Sequence, residues 1–132
     1  GSIRAPQWTH GGVALGPKPR SYRLALNKKV KRLALKSAFS SKVLDGDMIV
    51  VDKIEAAEFK TKNMVAMLSA LGVTRKALVV LPEMDEKVIK SMANIPGVKT
   101  AQVGTLNVYD ILGCDKFIVA KDAVTKIEEV YA

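Results

Sequence analysis

The fold that this sequence predicts is α/β, a three-layer-like parallel sheet of about four strands with flanking helices, preceded by an extended basic loop or arm. Three observations predict it. The chain has 132 residues and 48% hydrophobic content, enough for one ordinary globular domain of roughly 100–150 residues. From Leu44 onward, short apolar runs alternate with amphipathic stretches. That alternation calls for parallel strands joined by helical crossovers, which lay helices over the sheet's faces. Ahead of it, residues 1–26 hold three prolines (Pro6, Pro17, Pro19) and four glycines (Gly1, Gly11, Gly12, Gly16), too many breakers for a helix or a ladder.

The organisation expected is therefore an arm over residues 1–26 and a globular domain over residues 27–132 that opens with a basic helix. Asn27 is placed to cap that helix, which runs from Lys28 to about Val43. Val30, Leu33, Ala34, Ala38 and Leu35 form its apolar side, and Lys28, Lys29, Lys31, Arg32, Lys36 and Lys42 occupy much of the rest. Asp45-Gly46-Asp47 makes a turn. Met48-Ile49-Val50-Val51 then reads as a strand buried on both faces, as parallel-sheet strands are. Thr61 to Leu71 has helical apolar spacing through Met64, Val65, Met67, Leu68 and Leu71, and it stops at Gly72, a left-handed cap. Ala77 to Leu81 is a second buried strand. A helix near Asp85 to Ala93 turns Val88, Ile89 and Met92 inward and is broken by Asn94-Ile95-Pro96-Gly97. Val98 to Val103 is a third strand, Asn107 caps a short helix through Leu112, Phe117 to Ala120 is a fourth strand, and Asp122 begins a last helix ending near Tyr131. The pattern carries no information on strand order.

Charge is segregated along the chain. The formal net charge is +8, yet the first 42 residues contain ten Lys and Arg and no Asp or Glu. The remainder carries eleven basic and thirteen acidic residues, a net −2. A +10 opening implies a polyanionic partner, because lysines and arginines that neutralise phosphates release condensed counterions. Anionic lipid fits less well, since the opening has no clean amphipathic helix. No apolar run approaches the ~18 residues of a membrane span and no secretory pattern opens the chain, so a soluble, cytoplasmic protein with no membrane partner is expected. Cys114 has no second cysteine for a disulfide and no ligand-spaced neighbour, and is read as a small buried apolar residue.

The residues that could carry enzymatic chemistry have structural explanations. Gly11-Gly12-Val13-Ala14-Leu15-Gly16 matches neither nucleotide fingerprint and follows no strand. His10 stands alone in the arm, a poor place to hold a general base rigidly. Asp45 and Asp47 suit a turn, and Asp85 and Glu86 suit the opening turn of a helix. The methionines fall largely at apolar helical positions. No catalytic residue, metal site or cofactor is assigned, and the expectation is that the protein is not an enzyme.

The arm alternates aromatic and basic residues with breakers: Arg4, Gln7, Trp8, His10, Lys18, Arg20, Tyr22 and Arg23. Aromatic faces stack on unpaired bases, guanidinium groups bridge phosphates, and glycines allow close approach of backbone. With no major-groove helix motif, folded RNA is favoured over duplex DNA. Trp8 argues against a merely solvated loop, because an unpartnered loop gains nothing by exposing a large aromatic.

Gly1-Ser2-Ile3-Arg4-Ala5-Pro6-Gln7-Trp8, Gly11-Gly12-Val13 and Gly16-Pro17-Lys18-Pro19-Arg20-Ser21-Tyr22 together resemble the bacterial large-subunit ribosomal protein L-four family. Lys28 to Ala38, Lys60-Thr61-Lys62, Asn94-Ile95-Pro96-Gly97-Val98 and Asn107-Val108-Tyr109-Asp110-Ile111-Leu112 extend the resemblance over essentially the whole chain. Thr9 and His10 stand where the family usually has a basic residue and a glycine. The resemblance implies an α/β domain on the outer side of the large subunit and a long loop that penetrates rRNA toward the exit tunnel beside a second ribosomal protein. It also implies feedback control through the protein's own mRNA. By this resemblance Arg4, Gln7, Trp8, Lys18, Arg20 and Tyr22 are loop contacts with rRNA, and Lys28, Lys29, Lys31, Arg32 and Lys36 are phosphate contacts of the following helix. It further implies a preceding stretch with a strand, a helix and the first half of the loop, so this chain is expected to leave some apolar surface uncovered.

The function expected is thus a structural constituent of the large ribosomal subunit that binds large-subunit rRNA, with neighbouring ribosomal proteins and its own mRNA as further partners. The competing readings are a small-ligand or nucleotide-binding α/β enzyme and an interaction domain with a disordered basic tail.

Overall fold

The computed structural model describes residues 1–131; the end of the expected domain at Ala132 lies outside them. Beyond the arm the elements run α1 (Lys28–Leu44), β1 (Met48–Val51), α2 (Thr61–Ala70), β2 (Ala77–Leu81), α3 (Glu86–Ala93), β3 (Val98–Gln102), a 3-10 turn (Val103–Thr105), α4 (Val108–Gly113), β4 (Lys116–Ala120) and α5 (Lys121–Tyr131). The strands form one parallel sheet in the order β1-β4-β2-β3, with Met48 opposite Phe117 and Val79 between Thr100 and Ile118. The chain steps over β4 to reach β2, continues to β3, then steps back over β2 to reach β4. Right-handed crossovers put connections of opposite sense on opposite faces. The contacts agree: α2 packs with α3, whereas α4 packs with α1, and α1 with α5.

Continuous apolar runs occupy the two central strands, because a strand covered on both faces has no polar side. All of β2 is buried, as are Phe117 to Ala120 of β4. Val88 and Met92 from α3 and Ile111 from α4 close on them with no exposed surface. Each such side chain contributes about 1.5–3 kcal/mol relative to exposure. The element ends follow the expected chemistry. Asp85 accepts a hydrogen bond from the Lys87 amide at 3.0 Å, Asn107 accepts one from the Asp110 amide at 2.8 Å, and Gly72 ends α2 at φ +76°.

Five expectations need correction, the last of them at Val103. First, β1 is an edge strand and not buried on both faces: it pairs only with β4, and Val50 is exposed. Second, Val30, Leu33 and Ala34 do not lie on a buried side of α1. The helix buries Ala38 and Lys42, with Leu35 and Phe39 packed at the margin. Residues 28–34 are all exposed, so the first two turns of α1 project beyond the packed core. Third, Lys42 does not face outward. Its Nζ donates to the Cys114 carbonyl at 2.6 Å, and its stem is buried between α1 and α4. Fourth, Asn27 occupies the N-cap position, but its side chain makes no capping bond.

Val103, read as the end of β3, instead begins the 3-10 turn. There the Thr105 hydroxyl accepts from the Gln102 amide and donates to the Gln102 carbonyl, both at 3.1 Å. Cys114 is buried, its thiol donates to the Ile111 carbonyl at 3.0 Å, and burial pushes its pKa upward, which keeps it protonated. Phe39 ties α1 to the core: its ring lies 5.9 Å from Phe117 and 6.0 Å from Tyr131. The Tyr131 hydroxyl donates to the Val103 carbonyl at 2.6 Å.

Candidate nucleic-acid interface

The arm has two parts with different backbone chemistry. Residues 2–12 close on themselves in a run of turns. The Ala5 amide donates to the Ser2 carbonyl, Trp8 to Ala5, Gly11 to Trp8, and Gly12 to Arg4 at 2.9 Å. Gly11 is required for this knot, because a Cβ there would overlap the Ala5 carbonyl oxygen. His10, next to it, sits at φ +62°. The knot presents Arg4, Gln7, Trp8 and His10 at its surface, with Trp8 61% exposed. That is a large aromatic in water, held by a backbone already shaped.

Residues 13–26 make no backbone–backbone hydrogen bonds among the described residues, and this part is extended as expected. Lys18, Arg20, Tyr22 and Arg23 are all exposed. The Arg20 guanidinium carbon lies over the Tyr22 ring, 4.3 Å from its centre, a cation–π contact. Where the arm meets α1, Ser21, Arg23, Leu24, Leu26 and Lys31 line one hollow, which brings an arm cation and a helix cation together.

Lys28, Lys29, Lys31, Arg32 and Lys36 are all exposed on the overhanging part of α1 and the turn after it. At ~100° per residue, Lys28, Arg32, Lys36 and Lys29 fall within about 100° of arc, and Lys31 lies roughly 60° to the other side of Lys28. The sequence singles out these five cations by type and position. It missed the geometry, in which four share a face and the fifth joins Arg23 in the hollow.

Electrostatics separates this region from the body. The ion pairs are Lys53–Glu55, Lys60–Glu58, Lys90–Glu86, Lys99–Asp110, Lys116–Asp47 and Lys126–Glu83. Among the described residues none uses a cation of the first 42 positions. Lys116 beside Asp47, Lys126 beside Glu83 and Lys99 beside Asp110 each donate a hydrogen bond that holds the carboxyl below its ordinary range. Six of the eleven cations beyond position 42 are thus paired with a carboxylate, while among the described residues the arm and the start of α1 carry a positive field with no ion-pair partner.

The glycines of the arm precede no helix that could aim amides at a phosphate; the next helix begins at Lys28. Among the described residues no three His, Cys, Asp or Glu side chains are grouped to hold a metal ion. No helix among them is long and apolar enough to cross a membrane.

The family model described as "Ribosomal protein L4/L1 family" matches residues 1–130. Similar proteins include those called "Large ribosomal subunit protein uL4" from Ruminiclostridium cellulolyticum, 57% identical over 132 residues, and from Alkaliphilus oremlandii, 56% identical over the same length. The protein of that name from Agathobacter rectalis is also 57% identical. In each case the whole of this chain aligns with 64% of the relative's length. With the match extending from the arm to α5, the chain belongs to the ribosomal protein L4/L1 family.

Proposed function

We propose that the chain is a non-catalytic structural constituent of the large ribosomal subunit in the cytoplasm. Its arm and the first turns of α1 bind large-subunit rRNA, the arm running among rRNA segments toward the polypeptide exit tunnel and neighbouring ribosomal proteins. The observation that carries this reading is the set of exposed cations that form no ion pair among the described residues, interleaved with exposed Trp8 and the Arg20–Tyr22 contact. Family membership and the relatives' names support it.

Each part of the surface has a distinct task. Trp8 and the Arg20–Tyr22 pair stack on unpaired bases, Arg4, Lys18 and Arg23 bridge phosphates, and Gln7 and His10 supply polar contacts beside Trp8. Lys28, Lys29, Arg32 and Lys36 lie along one phosphate backbone, and Lys31 holds a second strand with Arg23. The same surface accepts a folded leader of the protein's own mRNA, the route to feedback control.

Filter binding to large-subunit rRNA across a salt series tests the reading. A steep fall in affinity with salt, and survival of binding against an uncharged competitor at low salt, are expected. Salt-insensitive binding would favour an interaction domain. Thermal stabilisation by a nucleotide or metabolite would favour a ligand-binding enzyme.

A further inference from the structure

A cleft in the body, remote from the arm, has the composition of a single-nucleotide site. It lies at the amino-terminal ends of β2 and β3 and holds about 360 Å³. That is near the lower end of the ~300–1,000 Å³ typical of small-ligand sites, and room for one nucleotide but not for a duplex. Ala77, Leu78, Val98 and Cys114 contribute apolar lining, and Lys76, Lys99 and Tyr109 stand around it. Gly97, at φ +80°, shapes one wall, where a Cβ would come within 2.8 Å of the Arg75 carbonyl oxygen.

Two features make this more than a surface depression. Tyr109 is 83% exposed, a flat ring at the mouth with a lysine ammonium, that of Lys99, 6.0 Å from its centre. The carboxylate in the cleft, Asp110, is already satisfied: Lys99 donates to it at 2.8 Å and the Asn107 side-chain amide at 2.9 Å. It therefore holds Lys99 in place with its own charge compensated; the other carboxylate beside the cleft, that of Asp115, accepts from the Lys76 amide at 3.3 Å. Among the described residues the ammonium of Lys76 is in no ion pair. Base-stacking ring, apolar lining and cationic rim are the three elements by which proteins hold unpaired nucleotides.

We propose that this cleft binds one unpaired nucleotide of RNA, the base against Tyr109 and the phosphate at Lys76 and Lys99. The body then makes an RNA contact of its own, resting on the reading above that RNA is the partner. The site lies at the carboxyl end of α1, where Lys42 meets Cys114. From there to Lys28 the helix runs about 21 Å, so the two contacts grip RNA at separate points.

The test uses the full chain and a short unstructured RNA oligonucleotide carrying a photoreactive thiouridine. Tyr109→Ala is expected to weaken binding roughly tenfold, within the range of one lost base stack, without changing the slope of affinity against salt. Tyr109→Phe keeps the ring and is expected to bind as the parent does. Lys76→Ala is expected to lower the salt slope by about 0.7. Crosslinks should map to α4 as well as to the arm. Parent-like affinity of Tyr109→Ala, or crosslinks confined to residues 1–36, would overturn the proposal while leaving the arm as an RNA-binding surface. Failure of the parent chain to bind any RNA would remove both.

Discussion

Replacing Lys28, Lys29, Arg32 and Lys36 together with glutamine asks whether the geometry of α1, and not only its composition, determines binding. All four are exposed, and none pairs with a carboxylate among the described residues, so the substitutions remove charge without removing a structural contact. They share one face, and on the proposed reading all four face a single phosphate backbone. Each phosphate contact adds about 0.7–0.9 to the slope of log affinity against log salt, so the variant's slope should be lower by about 2.8–3.6. Lys31→Gln, on the other side of the helix, should lower it by no more than about 0.9. The assay is rRNA filter binding over a salt series, with circular dichroism to verify unchanged helix content. A fourfold variant whose slope drops by less than one unit would refute the shared-face arrangement. So would Lys31→Gln producing the larger change.

Three further outcomes follow from other parts of the molecule. Gly11→Ala forces a Cβ into the Ala5 carbonyl and opens the knot that presents Trp8; rRNA affinity should fall about fivefold, on the order of 1 kcal/mol, with the thermal melt of the body unchanged. Lys42→Met keeps the buried stem but leaves the Cys114 carbonyl without its donor, which should cost about 1–3 kcal/mol in urea denaturation, and Lys42→Ala should cost more. The carboxyls of Asp47, Glu83 and Asp110 are held low by hydrogen bonds from Lys116, Lys126 and Lys99, so they favour the folded state fully above the ordinary carboxylate range and lose that effect as pH falls through their lowered values. Thermal melts should accordingly drop in acid and stay level around neutrality; a melt that held its midpoint into strong acid would show that these pairs contribute nothing.

The central strands were legible in the sequence because Ala77 to Leu81 and Phe117 to Ala120 have no polar alternation, as suits a strand covered on both faces. Met48 to Val51 has the same signature and yet lies at an edge. A short apolar run records how well a strand packs, not how many neighbours it has, and strand order was unreadable for the same reason. In α1 the period of Val30, Leu33 and Ala34 suggested a buried side, but burial depends on how far the sheet extends beneath the helix, a length no helical period encodes. Lys42 defeated charge-based reading because its stem packs while its ammonium finds a carbonyl 72 positions away. The segregation of charge in the arm was legible because it needs no tertiary structure to be seen. The knot at residues 2–12 was not, since it turns on one glycine's approach to one carbonyl. Neither was the cleft at Tyr109, whose walls come from segments around positions 76, 98 and 110 that only the parallel topology brings together.

The most direct test compares large-subunit rRNA binding by the full chain and by a form that lacks residues 1–26, at low salt, with circular dichroism of both. Most of the affinity should vanish with the arm while the helix signal of the body persists. Equal affinity in the shortened form would contradict the account, because recognition would then reside in α1 and the rest of the body and not in the arm.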